Sequence, residues 1–412
     1  MPVTQKGFLD SGLKEACFGC EACVQVCPKK AVQLQTDREG FRYPVIDPSV
    51  CVNCGLCRQI CPHEHLPQKY EGKPYVFGGY HRNEQVRFES TSGGAFSAIV
   101  DSFCDDNYVI FGAQAEGLSV FHSYITDKKE LGKLRKSKYS QSVIGNSYQQ
   151  AKTFLAAGKK VLFSGTPCQI AGLMSFLGST PKDNLLAVEV ICEGVPSPLY
   201  IEKLNEYVAQ KYGAEVESLD YRYTGKSWGA KGKWDFQTMR LVLKNKKILT
   251  KVRWFNPFWS VWLQHLMSRP SCYGCKFTTA QRVADITLGD LWGVHVYCPE
   301  LYGQNGGSSL IVCNSQKGKE TFLKAQKQMY GHELSFEKAL RFQGPMRKPI
   351  AYNPHRKDFM QDLQSEMDYV TLIKKWAKRP TLRLLFSKYV LGKRPWIWWA
   401  YWKRKFTGEK NA

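Results

Sequence analysis

Three regions of different fold class follow one another in this chain: a small α+β unit, a larger α/β domain with a mixed or partly parallel sheet, and a basic, aromatic C-terminal helical appendage. Three observations predict them. A four-cysteine run occurs twice near the start. Short apolar runs then alternate with helix-like stretches through the middle of the chain. From Thr371 onward, twelve Lys or Arg stand against Glu409 alone, which is half of the formal net charge of +22.

A chain of 412 residues favours two or three domains, each large enough for its own core. Hydrophobic residues at 43% with 13% aromatics are a globular composition, and no Gly/Ser, Gln/Asn or Pro repeat marks extended disorder. The N-terminal stretch lacks the apolar centre of a secretory signal, and no run reaches the roughly 18 apolar residues of a spanning helix, so the expected location is the cytoplasm. Thiols stay reduced there. Fifteen cysteines are therefore read as an inventory of metal ligands rather than a disulfide framework.

The first unit, residues 1–68, holds the repeat. "CFGCEACVQVCP" supplies Cys17, Cys20, Cys23 and Cys27, and "CVNCGLCRQICP" supplies Cys51, Cys54, Cys57 and Cys61, every cysteine shifted by 34. The stretch between them alternates and carries turn residues, as a small hairpin does. C-x2-C-x2-C-x3-C-P is the run of two-cluster bacterial ferredoxins, in which three thiolates on one tight loop hold three corners of a cubane and the fourth comes from the other run. Cys17, Cys20, Cys23 and Cys61 are expected to hold one 4Fe-4S cluster, and Cys51, Cys54, Cys57 and Cys27 the other. Zinc also favours C-x2-C pairs. Two identical runs, each ending in Cys-Pro, favour a ferredoxin-like domain. "PHEHLPQKYEGKPY" then reads as a linker.

The second unit is assigned to residues 75–345. "YVIFGAQA", "KVLFSGTP" and "LLAVEVICEG" read as strands, and "GGAFSAIVDSFCDD" and "PLYIEKLNEYVAQKYG" as helices. Seven cysteines remain outside the repeat. Cys168 follows one apolar strand in a Gly-Thr-Pro turn, and Cys192 ends the next. The C-terminal ends of neighbouring parallel strands share one edge of a sheet. These two suit a common site, and the lone C-x-x-C pair, Cys272 and Cys275, would complete a four-thiolate set sufficient for a third 4Fe-4S cluster. Cys104, Cys298 and Cys313 read as small buried hydrophobes.

"STSGGAFSAI", "KSKYSQS", "SGTPCQIAGL", "CEGVPS" and "CYGCKF...RVADITLGDLWG", in this order from Ser90 to Gly293, resemble the coenzyme F420 hydrogenase/dehydrogenase beta-subunit family. The resemblance implies an iron-sulfur flavoprotein with FAD and a 4Fe-4S cluster, and carries the cluster ligands to Cys168, Cys192, Cys272 and Cys275. It also implies flavin contacts. Ser92, Gly93 and Gly94 form a small-residue turn before a helix, which can present backbone N–H groups to a diphosphate. Lys138, Tyr139, Gln141 and Ser142 offer a cation, an aromatic ring and two hydrogen-bonding side chains. Arg282, Asp285 and Asp290 are expected to form a buried ion pair rather than to approach the cofactor. "YRYTGKSWG" departs from the family's Arg-x-Lys pattern, with Arg222, Lys226 and Trp228 in altered spacing, so the substrate is expected to differ.

One-electron carriers need a transformer for two-electron chemistry, which a flavin provides. The expected protein is an oxidoreductase passing electrons from an external donor through three clusters to FAD, for reduction of a small or lipid-linked substrate, with glycan or polysaccharide biosynthesis as a family-level expectation. The alternative is an electron-transfer beta subunit that relays electrons to or from a partner hydrogenase or dehydrogenase, or coenzyme F420. His122, Tyr139, Lys226 and His295 are the candidate proton donors, and the residues do not choose among them. The C-terminal extension, residues 349–412, interleaves Trp396, Trp398, Trp399, Tyr401 and Trp402 with Lys and Arg. It suits either a helix packed on the core with a solvated basic face or one lying in an anionic membrane interface, which would make the protein peripheral at the inner face of a membrane. Nucleic acid is not expected, because no binding motif accompanies the charge.

Overall fold

The computed structural model describes residues 6–105, 107–225, 238–301 and 306–386, together with 390, 391, 398, 399 and 402. Lys226, Trp228 and most of the aromatic, basic C-terminal stretch lie outside the described residues.

The N-terminal lobe is built on the hairpin β1 (Val32–Thr36) and β2 (Arg42–Ile46), paired antiparallel from Val32↔Ile46 to Thr36↔Arg42. The turn follows from Asp37, whose carboxylate accepts from the amides of Glu39 and Phe41 at 3.0 and 2.9 Å, and from Gly40 at φ 82°. The two cysteine runs flank this hairpin and form short helices, Ala22–Val26 and Leu56–Gln59, that pack together.

The larger domain is a mixed sheet of eight strands: β3 (Tyr75–His81), β4 (Tyr108–Glu116), β5 (Ser119–Ile125), β6 (Lys160–Gly165), β7 (Leu185–Val190), β11 (Ile286–Asp290), β12 (Ser309–Cys313) and β13 (Met329–Glu333). Their order is β13-β3-β12-β11-β7-β6-β4-β5. The four central strands β11, β7, β6 and β4 run parallel, and both flanks are antiparallel. Central strands covered on both faces read as continuous apolar runs, and their side chains divide between two cores. Val161, Phe163, Leu185 and Ala187 face the helices Ser147–Ala156 and Pro167–Leu177. Leu162, Leu186 and Val188 face the helices Ala95–Phe103 and Gln316–Ala325. An insertion carries β8 (Val216–Asp220), β9 (Met239–Leu243) and β10 (Ile248–Lys251), a separate antiparallel sheet.

The N-terminal lobe shares a core with the larger domain. Phe18 and Ala22 are buried in the cluster that holds Phe163 and Ile170. Polar contacts align with this burial: Glu21 accepts from the Ile144 and Gly145 amides, both at 3.1 Å, and the Tyr148 hydroxyl donates to the Cys20 carbonyl at 3.0 Å. Gly172 is required by the close approach, since a Cβ there would stand 2.9 Å from both Cys20 Cβ and the Tyr148 hydroxyl oxygen. Gly172→Val is expected to destabilise by about 1–3 kcal/mol, seen as a lower thermal unfolding midpoint at unchanged iron content. An unchanged midpoint would show that the lobe is not held at this contact.

Two expectations about organisation change. The segment read as a linker is irregular but pinned: the Tyr70 amide donates to the Arg282 carbonyl at 2.8 Å and its hydroxyl to Asp285 at 2.9 Å. The C-terminal extension is not an appendage at its start. Helices Arg356–Gln364 and Tyr369–Trp376 bury Phe359, Met360, Leu363, Tyr369 and Leu372 against Tyr200, Leu204, Trp259 and Trp262. The apolar stripe of these helices was overshadowed in the sequence by the charge beside it. Beyond them, Leu382, Phe386, Trp398 and Trp399 are exposed, and among the described residues no helix is long and apolar enough to cross a membrane.

Candidate metal centres

The cysteine repeat folds into two cavities. One is lined by Cys17, Cys20, Cys23 and Cys61, with Cys57, Phe8, Phe18 and Glu64 around them. The other is lined by Cys27, Cys51, Cys54 and Cys57. Each run therefore sends its fourth cysteine to the other cavity, the exchange that the spacing predicts. The loops repeat in backbone as well as in sequence: Gly19 and Asn53 hold φ 68° and 53°, and Glu21 and Gly55 hold 62° and 76°. Left-handed residues turn successive amides inward. The Asn53 amide donates to Cys51 Sγ at 3.4 Å, and the Ala31 amide to Cys27 Sγ at 3.3 Å. The first cavity is the inner one, with Cys20 buried. At the second, Cys54 is exposed beside exposed Val50, Val52 and Leu56.

The third set gathers at the sheet edge. β6 and β7 are parallel neighbours, in register from Val161↔Leu185 to Gly165↔Glu189, so the segments that leave them run side by side. Cys168 stands in the first turn of Pro167–Leu177, where Thr166 and Gln169 form a capping box. Cys192 follows β7. Cys272 and Cys275 come from the short turn Pro270–Gly274 and the residue after it. Gly194, at φ 98°, lets the Cys192 loop approach, since a Cβ there would stand 3.5 Å from Cys272 Cβ. Burial lifts the Cys168 thiol to about 11 and the Cys272 thiol to about 12, and Cys275 adds to both. Burial also raises Cys192, followed by Cys272 and Cys168. Burial raises Cys275 as well, and four such thiols cannot ionise together without cations, which is the condition that iron meets. The donor set fits a four-iron cluster.

The stretches expected to hold a flavin are placed more tightly than the sequence suggests. Ser92 Oγ donates to the Ser308 carbonyl at 3.0 Å, and the Gly93 amide to Ser309 Oγ at 3.0 Å. A Cβ on Gly93 would lie 2.4 Å from the Gly79 carbonyl oxygen, so this glycine serves contact with β3 and β12. Gly94, at φ 82°, opens the helix Ala95–Phe103, whose first-turn amides are the donors left for an anion. Lys138 Nζ donates to the Arg135 carbonyl at 2.5 Å, and burial, then Lys136, pushes its pKa down to about 8. Tyr139 packs edge-on against Trp259 and Trp262. Gln141 and Ser142 are committed elsewhere: Gln141 Nε2 donates to the Phe18 and Gly19 carbonyls at 3.0 and 3.1 Å, and Ser142 Oγ meets His122 Nδ1 at 2.8 Å.

Residues 158–338 match the family model for the C terminus of the coenzyme F420 hydrogenase/dehydrogenase beta subunit, and residues 16–65 match the 4Fe-4S dicluster domain. The chain therefore carries a segment similar to the C terminus of this beta subunit behind an N-terminal 4Fe-4S dicluster domain. It is an iron-sulfur electron-transfer protein with two 4Fe-4S clusters in that domain. No curated protein matches the chain. Among solved structures, a chain of the F420-reducing NiFe hydrogenase complex from Methanosarcina barkeri is similar at 14% identity and a TM-score of 0.42, over 70% of this chain and 97% of that one.

The stretches at Ser92–Gly94 and Lys138–Ser142 precede the family-matched segment, whereas all four cysteines of the third set fall inside it. The acidic residues of "RVADITLGDLWG" are structural, but with partners that the sequence did not indicate. Arg282 pairs with Glu189 of β7 rather than with a neighbouring aspartate. Asp285 accepts from the Ala187 amide and from Ser315 Oγ at 2.9 and 2.6 Å. Asp290 takes the fork of buried Arg222 at 2.8 and 3.1 Å. Among the proton-donor candidates, His122 has both ring nitrogens engaged, the second with the Ser164 carbonyl at 3.0 Å, and burial pushes its pKa down to about 4. It is a neutral core histidine. His295 lies in the short helix Val294–Tyr297. Cys104, Cys298 and Cys313 are buried, and Cys298 donates to Glu300 at 3.1 Å. Arg269 went unremarked in the sequence, and it joins the ferredoxin lobe to the third cysteine set.

Proposed function

We propose that this protein is an electron-transfer beta subunit that passes single electrons between an external redox protein and FAD, and exchanges electron pairs there with a partner enzyme or coenzyme F420. One observation carries the reading: the three cysteine sets form a continuous series from the surface inward. Exposed Cys54 marks the outer cavity, ringed by Val50, Val52 and Leu56, and this apolar rim suits a docking redox partner. Cys57 lines both cavities. Cys20 of the inner cavity packs on Gly172, and Cys168 stands four residues before Gly172, on the same face of the helix. The ferredoxin lobe is locked in this position by its shared core, so electron transfer across the joint needs no domain movement.

Iron-sulfur clusters supply one-electron transfer, and FAD would supply its conversion to two-electron transfer. Of the residues proposed for FAD, Lys138, Tyr139 and the helix start at Gly94 keep the chemistry of a dinucleotide site. Gln141 and Ser142 would act indirectly, by holding the adjoining ferredoxin loop and His122. The self-contained flavoenzyme remains the second reading, because the fused ferredoxin replaces a separate electron-carrier protein. No feature of the described residues favours a glycan substrate over other two-electron acceptors.

Anaerobic purification is expected to yield about twelve iron per chain from three four-iron clusters, with one FAD. Under a low-potential one-electron donor, the reduced chain should pass electrons to coenzyme F420 or to a co-purified dehydrogenase. Stable reduced flavin that neither acceptor reoxidises would overturn the relay and favour the self-contained enzyme.

A further inference from the structure

Arg269 is a buried cation, 1% exposed, at the joint between the ferredoxin lobe and the third cysteine set. Its side chain reaches mainly into the lobe. Nε donates to the Cys17 carbonyl at 3.0 Å, and Nη2 to Cys17 Sγ at 3.4 Å and the Arg42 carbonyl at 2.9 Å. Nη1 donates to Gln141 Oε1 at 2.9 Å, and Gln141 in turn holds the Phe18 and Gly19 carbonyls. The guanidinium lies over the Tyr43 ring at 4.4 Å from its centre. Arginine and glutamine thus enclose the loop that bears Cys17 and Cys20.

The backbone of Arg269 belongs to the other site. Its carbonyl accepts from the Cys272 amide at 2.9 Å, and its amide donates to the Val195 carbonyl, three residues beyond Cys192. Its charge acts on Cys168 and Cys272, favouring the thiolate of each. No carboxylate is in ion-pair contact with it among the described residues. The nearby acid, Glu21, pairs with Arg42 at 3.0 Å and spends its other oxygen on two backbone amides. A buried cation without a counter-ion is costly. Glu21 offsets part of that charge at longer range, and the thiolate assemblies on either side can supply the rest.

We propose that Arg269 is a positioning residue shared by two metal centres: its guanidinium balances the charge of the Cys17/Cys20/Cys23/Cys61 cluster and of the Cys168/Cys192/Cys272/Cys275 site together, raising the reduction potential of both. The direction follows from charge. Adding an electron to either centre adds negative charge, which a nearby fixed cation favours, and a hydrogen bond to a cluster sulfur acts in the same sense. One cation between two centres shifts both potentials in the same direction, so it adds no step of its own to transfer across the joint. The inference rests on the reading that the four cysteines hold a cluster.

The test is an anaerobic redox titration of the full chain, followed by electron paramagnetic resonance. The inner ferredoxin signal is assigned by its loss in Cys23→Ser, and the third-site signal by its loss in Cys168→Ser. In Arg269→Gln with full iron, the reduced-to-oxidised ratio at a fixed potential is expected to fall about tenfold at both centres, a downward shift of about 59 mV. Arg269→Lys keeps the charge and should shift each by less than about half of that. It also decides the matter if the Gln variant loads iron poorly. Midpoints that stay put in Arg269→Gln, or that move at only one centre, overturn the shared role. So does a full shift in Arg269→Lys. If Cys168→Ser loses no iron, the third cluster itself is refuted, a failure distinct from unmoved midpoints.

Discussion

Cys168→Ser is expected to lower the iron content from about twelve to about eight per chain and to leave the flavin oxidised while both ferredoxin clusters still accept electrons. Serine keeps the size of the side chain and removes the thiolate, the soft donor that iron-sulfur clusters require. The remaining three cysteines, Cys192, Cys272 and Cys275, would stay together with the ionisation of each opposed by burial. The ferredoxin lobe should be spared, because its eight cysteines lie in two cavities of their own. Cys104→Ser is the control: Cys104 is buried but closes the helix Ala95–Phe103, and its loss should change stability without changing iron. Unchanged iron in Cys168→Ser would remove the third centre and break the proposed series at its inner end.

The two kinds of cysteine set were legible to different depths, for a physical reason. A ferredoxin ligand set is local. Its spacing is dictated by one tight loop, so the repeat displays the ligands directly, and the positive-φ positions recur with it at Gly19/Asn53 and Glu21/Gly55. The third set is assembled by topology. Its visible clues were two apolar strands, each followed by a cysteine, and the rule that parallel strand ends share an edge. β6 and β7 are adjacent and parallel, which brings the segments bearing Cys168 and Cys192 to that edge. What the sequence could not display were contacts set by three-dimensional docking. Gln141 looks like a polar residue in a basic stretch, yet it holds the backbone of a loop more than a hundred positions away. Arg269 precedes the C-x-x-C pair and looks like its neighbour, but its guanidinium serves Cys17. Helices Arg356–Gln364 and Tyr369–Trp376 were hidden by composition, because a high density of charge masks a narrow apolar stripe.

Removal of Arg282 is expected to produce the largest loss of stability in the molecule. Its side chain and that of Glu189 are 2% and 0% exposed, and the two are in direct contact. Arg282 also donates to the carbonyls of Phe277 and Thr279 at 2.6 and 3.1 Å, and Thr287 Oγ1 donates to the same Glu189 oxygen at 2.9 Å. The pair thus ties β7 to β11 and to the chain leaving Cys275. Arg282→Met would leave the Glu189 carboxylate buried without a cation, at a cost of about 3–5 kcal/mol, a large fraction of the stability of an ordinary domain. Replacing both members, Arg282→Met with Glu189→Leu, removes the stranded charge along with its partner and should recover most of the loss. Thermal unfolding of the two single variants and the double variant checks this. A cost below about 1 kcal/mol for Arg282→Met is the value of a solvated surface pair, and would mean that water reaches the Glu189 carboxylate. Iron content gives the second reading. Glu189 lies three residues before Cys192, and Phe277 two after Cys275, so a single variant that loosens this tie should shed iron from the third site before either ferredoxin cluster is lost.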